Sequence, residues 1–329
     1  MIHSVEPTCA ETCLDAVSEA VINVLTWLSD HAAYVFDHLA QVGQAAEERS
    51  KKDDDLWSPA LRGHEELTLG ALIGEGGFGK VYHGEWRGRE VAIKVMTAEA
   101  GASRGVIDEF RREVSTMSAL PEHPNVLRLL GACVQAPLAL VTPYCQKGSL
   151  YAMLHSPAMQ LSWAQVAYLC LGAARGMAHL HAHCCLHRDL KSGNLLVDAT
   201  WTVKVADFGL ARVVLDLHGV LMTGGLGTFQ WMAPEVLAHQ RYSEKADVFS
   251  FAIVLWECTA RQVPYSGLDG IQAALAVMVR GLRPNIPAHT PPALASLIRD
   301  CWRPVPDQRP SFAALVPRLE VLYAALRQQ

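Results

Sequence analysis

The period of the hydrophobic pattern changes once along this chain, and that change limits the fold more than any other feature. From Leu67 to Pro143 the apolar residues fall in short alternating runs: Leu67 to Ile73, Lys80 to Trp86, Arg89 to Val95, Leu127 to Val134 and Leu138 to Pro143. These read as strands joined by turns. One helical spacing interrupts them, at Val106, Phe110, Val114, Met117 and Leu120. Beyond Gly148 the runs are long and helical: Ser162 to Ala182, Ala246 to Ala260, Leu268 to Val279, Pro292 to Trp302 and Ser311 to Arg327, with Ser162 and Ser311 at N-cap places. A small sheet with one helix, followed by a larger helical body, is a segregated α+β arrangement.

Charge divides the 329 residues a second time. Residues 1 to 60 hold eleven Asp and Glu against three Lys and Arg, whereas residues 61 to 329 hold twenty-two against twenty-five. The polar stretch Lys51-Lys52-Asp53-Asp54-Asp55, followed by Pro59 and Gly63, suits a linker. Residues 1–62 are therefore read as an acidic N-terminal segment and residues 63–329 as the main domain. Within the segment Val17, Val21, Val24, Leu28, Val35 and Val42 recur at helical spacing, Leu14, Leu25 and Leu39 widen the stripe, and no proline intervenes between Thr8 and Gly43. Such a helix either packs on its own protein or takes a partner, in which case it is regulatory or an interaction segment. His31 and His38 at heptad core places count against a coiled coil, and its acidity counts against an anionic membrane surface.

Composition removes several function classes. Half of the residues are hydrophobic, ample for a large buried core, and a net charge of −5 leaves no basic footprint for nucleic acid. The nine cysteines, at 9, 13, 133, 145, 170, 184, 185, 258 and 301, lack paired C-x-x-C spacing, so they read as the reduced thiols of a cytoplasmic protein. The opening Ile2, His3, Ser4 and Glu6 do not follow the basic-then-apolar order of a secretory signal. No stretch approaches the roughly 20 apolar residues of a membrane span; the best, Ala20 to Leu28, is broken by Asn23 and Thr26.

Five motifs stand out. Gly74-Glu75-Gly76-Gly77-Phe78-Gly79-Lys80-Val81 places glycines where a backbone can turn tightly and bring N–H groups against phosphate oxygens. A dinucleotide site uses similar glycines but opens a helix; here Lys80 to Val95 alternates like a hairpin, with Gly84 and Gly88 near its turn. In Val91-Ala92-Ile93-Lys94-Val95, period two sends Ala92 and Lys94 to one face. A lysine in so apolar a strand either snorkels to solvent or meets an anion, such as nucleotide phosphates and a carboxylate like Glu113 on the helix behind. Further on stand His187-Arg188-Asp189-Leu190-Lys191-Ser192-Gly193-Asn194 and, after a hairpin expected from Leu195 to Val197 and Val203 to Val205, Asp207-Phe208-Gly209. Ala233-Pro234-Glu235 closes the series.

Taken in this order, over about 260 residues, these motifs resemble the signature set of protein kinases. The resemblance implies a bilobal kinase fold, a β-rich N-lobe with one helix and a larger helical C-lobe, preceded by the N-terminal helical segment. It implies ATP and Mg²⁺ as cofactors and protein substrates as partners. By the same resemblance Asp189 is the base for the substrate hydroxyl, Lys191 contacts the transferred phosphate, Lys94 pairs with Glu113, and Asn194 and Asp207 hold the metal. The nucleotide is implied to lie against Ile73, Gly74, Glu75, Gly76, Gly77, Phe78, Gly79, Lys80, Val81, Ala92, Lys94, Thr142, Tyr144, Cys145 and Leu196. Thr142 matches the small residue that guards the back of the pocket, and Pro143 departs from the acidic residue common at its place. Asp247 resembles the aspartate that supports the catalytic loop, Arg309 the arginine that pairs with Glu235, and Met117, Leu129, His187 and Phe208 the hydrophobic spine.

Two details bear on the acceptor. Lys191 is what serine/threonine kinases of the family carry, whereas Trp231-Met232-Ala233-Pro234-Glu235 looks like the tyrosine-kinase form. Gly227-Thr228-Phe229-Gln230-Trp231-Met232 resembles the tyrosine-kinase-like group, which includes the Raf-like and mixed-lineage kinases and is mostly serine/threonine-specific. Dual specificity, or a pseudokinase scaffold acting through its N-terminal helix, is the alternative. Thr223 is the candidate activation-loop phosphosite, since a phosphate there could pair with Arg188 or Arg212. Cys145 reads as a packing cysteine and not a reactive thiol. His179, His181, His183 and His187 with Cys184 and Cys185 superficially suggest a metal cluster, but they straddle a helix end, so their side chains are expected to diverge.

Overall fold

The computed structural model describes residues 67–76, 79–96, 110–111, 114–115, 117–133, 137–208, 229–238 and 240–328. The expected N-terminal helix and the boundary near residue 62 lie outside them.

The first body is a five-stranded antiparallel sheet: β1 (Leu67–Gly76), β2 (Gly79–Trp86), β3 (Arg89–Val95), β4 (Gly131–Cys133) and β5 (Ala139–Pro143), in the order β1-β2-β3-β5-β4. The β2–β3 hairpin turns on Arg87 and Gly88, both with positive φ, as a two-residue turn matched to strand twist requires. Period two then sorts the sheet. Val91, Ile93, Ala139, Val141 and Cys133 form an aliphatic cluster with Leu67, Trp86, Val95 and Leu130. The opposite face carries Gly74 beside Val81, Val81 beside Lys94, and Ala92 beside Thr142 as cross-strand partners. The described residues from 110 to 119 are helical, as the spacing of Phe110, Val114 and Met117 predicts.

One expected strand is shorter than its sequence suggests. The run Leu127 to Val134 gives only Gly131–Cys133 to the sheet, because its first part is bonded elsewhere: Leu127 N–H donates to Val205 O, and Val126 bridges to Val205.

The second body is helical. Its elements are α1 (Leu150–His155), α2 (Trp163–Ala182), the hairpin β6 (Leu195–Val197) and β7 (Val203–Val205), α3 (Pro234–Leu237), α4 (Lys245–Ala260), α5 (Gly270–Arg280), α6 (Pro292–Cys301) and α7 (Phe312–Arg327). Ser162 and Gln165 form a capping box at the start of α2, and Ser311 caps α7. Asp269 and Gln272 form a second box at α5, which starts two residues later than the apolar run because the cap, not the hydrophobicity, sets the first turn. Helix α1 is six residues long, too short for the hydrophobic pattern to show a period. Helix α4 is buried around nearly its whole circumference, from Ala246 to Thr259, and forms the centre of the main core with α2 and α7. Among the described residues, no helix is long and apolar enough to cross a membrane.

Candidate active site

The catalytic loop follows α2 and ends in the 3₁₀ turn Ser192–Asn194. Asp247, buried at the start of α4, holds its first residues. Its Oδ2 accepts the backbone N–H of His187 at 2.9 Å and lies 2.9 Å from His181 Nε2, while its Oδ1 accepts the N–H of Arg188 at 2.9 Å. Burial pushes the Asp247 carboxyl up, but the His181 hydrogen bond, the nearby imidazoles and the His187 N–H outweigh it and hold the group below the usual carboxylate range. Asp247 is thus ionised and able to accept all three bonds.

Beyond this anchor the loop presents Asp189. Its Oδ2 lies 2.8 Å from Lys191 Nζ and accepts Asn194 Nδ2 at 3.0 Å, and the same amide donates to Asp189 O at 2.7 Å. Its Oδ1 is buried and has no hydrogen-bond partner among the described residues. One oxygen is therefore committed to holding the side chain, and the other is an acceptor in waiting.

Asp207 approaches from the end of the β6–β7 hairpin. Ala206 N–H donates to Asn194 O at 2.9 Å, which registers the two segments, and Asp207 takes a left-handed backbone with φ 56°. Its Oδ1 accepts Lys94 Nζ at 2.6 Å, linking the sheet to the helical body across 113 residues of sequence. Desolvation raises the Asp207 carboxyl, yet the charge and hydrogen bond of Lys94, with His187 and Lys191 nearby, together hold it below its ordinary range. Glu113, the expected partner of Lys94, lies outside the described residues, as do Gly77, Phe78, Thr223 and Thr228.

The remaining expected nucleotide contacts fall into two groups. Val81, Ala92, Lys94 and Thr142 share one face of the sheet, with Gly74 opposite Val81. Gly76 pairs with Gly79 and Glu75 with Lys80, whose side chains are 3.5 Å apart. Gly79 has φ 146°, and a Cβ there would strike the carbonyl of Val95, so glycine is required. Ile73 is exposed on β1. At the connection between the two bodies, Lys147 N–H donates to Val197 O and Val197 N–H to Gly148 O, which sets Leu196 under the strap. Cys145 is buried against Leu127, Ala206 and Leu196, and burial pushes its thiol up to about 11. Tyr144 is half-buried, with its ring 4.6 Å from that of His83.

The histidines near the loop go to different partners: His179 to Pro121 O, His181 to Asp247, His183 to His179 O, and His187 Nδ1 to the N–H of Asp189. His181 thus joins the anchor of the loop through Asp247, a place that nothing in the row of histidines distinguishes.

A carboxylate with one buried oxygen unpaired among the described residues, flanked by a lysine and an amide, together with a second carboxylate tied to a strand lysine, is a set of groups suited to phosphoryl transfer. The sequence profile of the family described as protein tyrosine and serine/threonine kinase matches residues 67–319. The chain belongs to this kinase family. The kinase domain is 44% identical over 259 residues to a probable serine/threonine-protein kinase drkB of Dictyostelium discoideum, a match covering 78% of this chain and 37% of that protein. It is 45% identical over 258 residues to the probable kinase drkA of the same organism, covering 78% and 39%. It is also 41% identical over 269 residues to the serine/threonine-protein kinase STY17 of Arabidopsis thaliana, covering 82% and 46%. The chain thus spans less than half the length of these curated relatives.

Proposed function

We propose that this chain is a protein serine/threonine kinase that transfers the γ-phosphate of ATP to a substrate hydroxyl. The observation that carries the reading is the Asp189 carboxylate: Oδ2 is fixed by Lys191 and Asn194, and Oδ1 is buried with no described partner. A serine or threonine hydroxyl donating to that oxygen is oriented for attack and gives up its proton there as the new P–O bond forms. Lys191, already beside the base, is placed to meet the negative charge of the transferred group. Lys94 orients the nucleotide phosphates from the sheet, and the glycine-rich turn covers them. The names of the similar proteins support serine and threonine as acceptors.

The residues present fit magnesium. Asp207 is held as a carboxylate, and Asn194 spends its amide nitrogen on Asp189, which leaves its carbonyl oxygen for a hard cation. These two would hold the metal, which neutralises phosphate charge when bound.

Two regulatory readings and a compartment accompany this one. Thr223 is the candidate phosphosite: Arg188 stands next to the base, its Nε is buried without a described partner, and its guanidinium lies 5.9 Å from the Tyr242 ring centroid. Full activity of Thr223→Ala, with Thr223 unmodified by mass spectrometry in active protein, would overturn it. Residues 1–62 are proposed as a regulatory or partner-binding segment, to be tested by deletion. The cytoplasm is the proposed compartment, consistent with the free thiols of all seven described cysteines.

The test of the main reading is phosphoacceptor mapping on a mixed serine, threonine and tyrosine peptide library with ATP and magnesium, comparing wild type with Asp189→Asn. Transfer to serine and threonine by the wild type alone is expected. Transfer to tyrosine as well would make the enzyme dual-specific, and no transfer by the wild type, even with Thr223 phosphorylated, would return the chain to a scaffold.

A further inference from the structure

Two like charges directly opposite each other across a β-ladder destabilise the pair of strands. Glu85 of β2 and Glu90 of β3 are such cross-strand partners, and both are exposed. The sheet gains nothing from a second glutamate here, so Glu90 is explained by what it binds. Its Oε1 lies 2.8 Å from His83 Nε2, and its Oε2 accepts Gln146 Nε2 at 3.2 Å. The His83 hydrogen bond, and then that of Gln146, hold the carboxyl below its ordinary range, so Glu90 is an ionised acceptor.

Gln146 lies in the strap between the two bodies. The strap leaves the sheet where β5 ends at Pro143, and it meets the helical body where Lys147 N–H donates to Val197 O. The Gln146 amide serves both sides, since its two ends differ in kind. Its nitrogen donates to Glu90 on the sheet, and its Oε1 accepts the N–H of Ala199 at 3.1 Å, in the turn between β6 and β7. Neighbouring contacts reinforce each side. The Tyr144 ring lies 4.6 Å from that of His83, and Lys147 Nζ lies 4.5 Å from the centroid of the Trp201 ring in the same β6–β7 turn.

The two ends of this bridge belong to the strands that build the phosphate end of the site. Glu90 stands four residues before Lys94 on β3, and period two puts both on the face that carries Ala92. The β6–β7 hairpin runs on through Val205 to Asp207. Lys94 and Asp207 are themselves bonded at 2.6 Å. So β3 is tied to the hairpin segment at two places, about 13 Å apart along the strand. One tie alone leaves the sheet free to swing about it; the second fixes the angle.

We infer that Gln146 is a positioning residue for the nucleotide: by bridging Glu90 and the N–H of Ala199 it sets the angle between β3 and the β6–β7 hairpin, and with it the place of Lys94 relative to Asp207. This rests on the kinase reading of the site. Both bonds are exposed and each is modest, so their loss acts on the fraction of molecules that hold the binding arrangement. Nucleotide affinity falls in proportion to that fraction. The acceptor hydroxyl, which meets Asp189 on the catalytic loop, lies outside the bridge.

The experiment uses the full chain. Calorimetric titration with ATP and magnesium gives the nucleotide Kd, and steady-state kinetics with the peptide selected by the library mapping above gives the acceptor KM. Gln146→Ala is expected to weaken ATP binding about threefold to fivefold, with the acceptor KM held within about twofold. Gln146→Glu keeps an acceptor for Ala199 but sets a carboxylate against Glu90, so it is expected to weaken ATP at least as much. Glu90→Ala removes the same tie from the sheet side, and the double variant with Gln146→Ala is expected to fall short of the product of the singles. Unchanged or tighter ATP binding by Gln146→Ala, fully independent effects in the double variant, or equal losses for ATP and acceptor overturn the inference while leaving the kinase reading intact. Should Glu90→Ala unsettle the sheet in a melting curve, the two Gln146 variants still decide. A wild type that binds ATP but transfers to no hydroxyl defeats the kinase reading, and the titration still decides the role of Gln146; a wild type that does not bind ATP overturns both.

Discussion

Asp247 Oδ1 accepts the backbone N–H of Arg188 at 2.9 Å, and Arg188 holds a left-handed backbone with φ 67°. A non-glycine residue in that region costs about 1 to 3 kcal/mol and persists only when its surroundings over-determine it. Here one buried carboxylate does so, since the neighbouring N–H of His187 goes to its other oxygen. Asp247→Asn removes one acceptor and turns an amide N–H₂ toward a donor. Arg188 immediately precedes the base, so the expected result is a kcat lower by on the order of 100-fold, the scale for a displacement of about 1 Å at a reacting centre. Steady-state kinetics beside a melting curve checks it; a normal kcat in the Asp247→Asn variant removes Asp247 from the catalytic apparatus.

Asp189 and Lys94 should fail in different ways. Asp189→Asn keeps the size of the side chain and loses the proton acceptor, so kcat is expected to fall by about 10² to 10⁴ with nucleotide affinity preserved. Lys94→Met takes the ammonium from Asp207 Oδ1, 2.6 Å away, and with it the tie that positions that carboxylate for a metal. The magnesium concentration for half-maximal rate is expected to rise roughly tenfold, equivalent to about 1.4 kcal/mol. A magnesium titration of both variants separates the two effects.

Much of this site was legible because its chemistry forces particular residue types into short runs. Lys94 in a strand, the run from His187 to Asn194, and Asp207-Phe208 stand out against their apolar surroundings. What the sequence concealed is tertiary. Glu257 and Ser250 look like ordinary members of a helix until α4 proves to be buried on every side. Gly176 reads as a tolerated helix residue, yet a Cβ there would meet Asn125 O and Val205 Cγ2, where α2 presses on β7 and the segment bonded to it. The strand expected from Leu127 begins late for the same kind of reason, since Val205 claims Val126 and Leu127 before the sheet can.

Glu257 predicts a pH dependence of stability. Its carboxyl titrates near 8 when buried against an ordinary value of 4.5, so between those limits the folded state binds more protons than the unfolded state. Stability contributed by this group is complete below the unfolded value and is lost as pH rises through the folded one. Glu257→Gln does not titrate. The difference in melting temperature between Glu257→Gln and wild type is therefore expected to grow in favour of the variant from pH 5 to about pH 9. A flat difference over that range contradicts the assignment, because other titrating groups cancel between the two proteins.

Arg309 and Glu235 form the most deeply buried ion pair described: Arg309 Nη1 and Nη2 donate to the two carboxylate oxygens at 2.6 and 3.0 Å, and Arg309 as a whole is 1% exposed. The remaining donors are also used, since Arg309 Nε reaches Arg303 O and the terminal nitrogens reach Lys245 O and Pro304 O. A lysine has one charged nitrogen and no planar fork, so it cannot satisfy both oxygens and these carbonyls from one position. Arg309→Ala leaves the Glu235 carboxylate buried and unpaired, at an expected loss of about 3 to 5 kcal/mol. Arg309→Lys should recover only part of it. Chemical denaturation of both variants beside wild type checks this: equal losses for Arg309→Ala and Arg309→Lys would show that the planar fork contributes nothing beyond its charge.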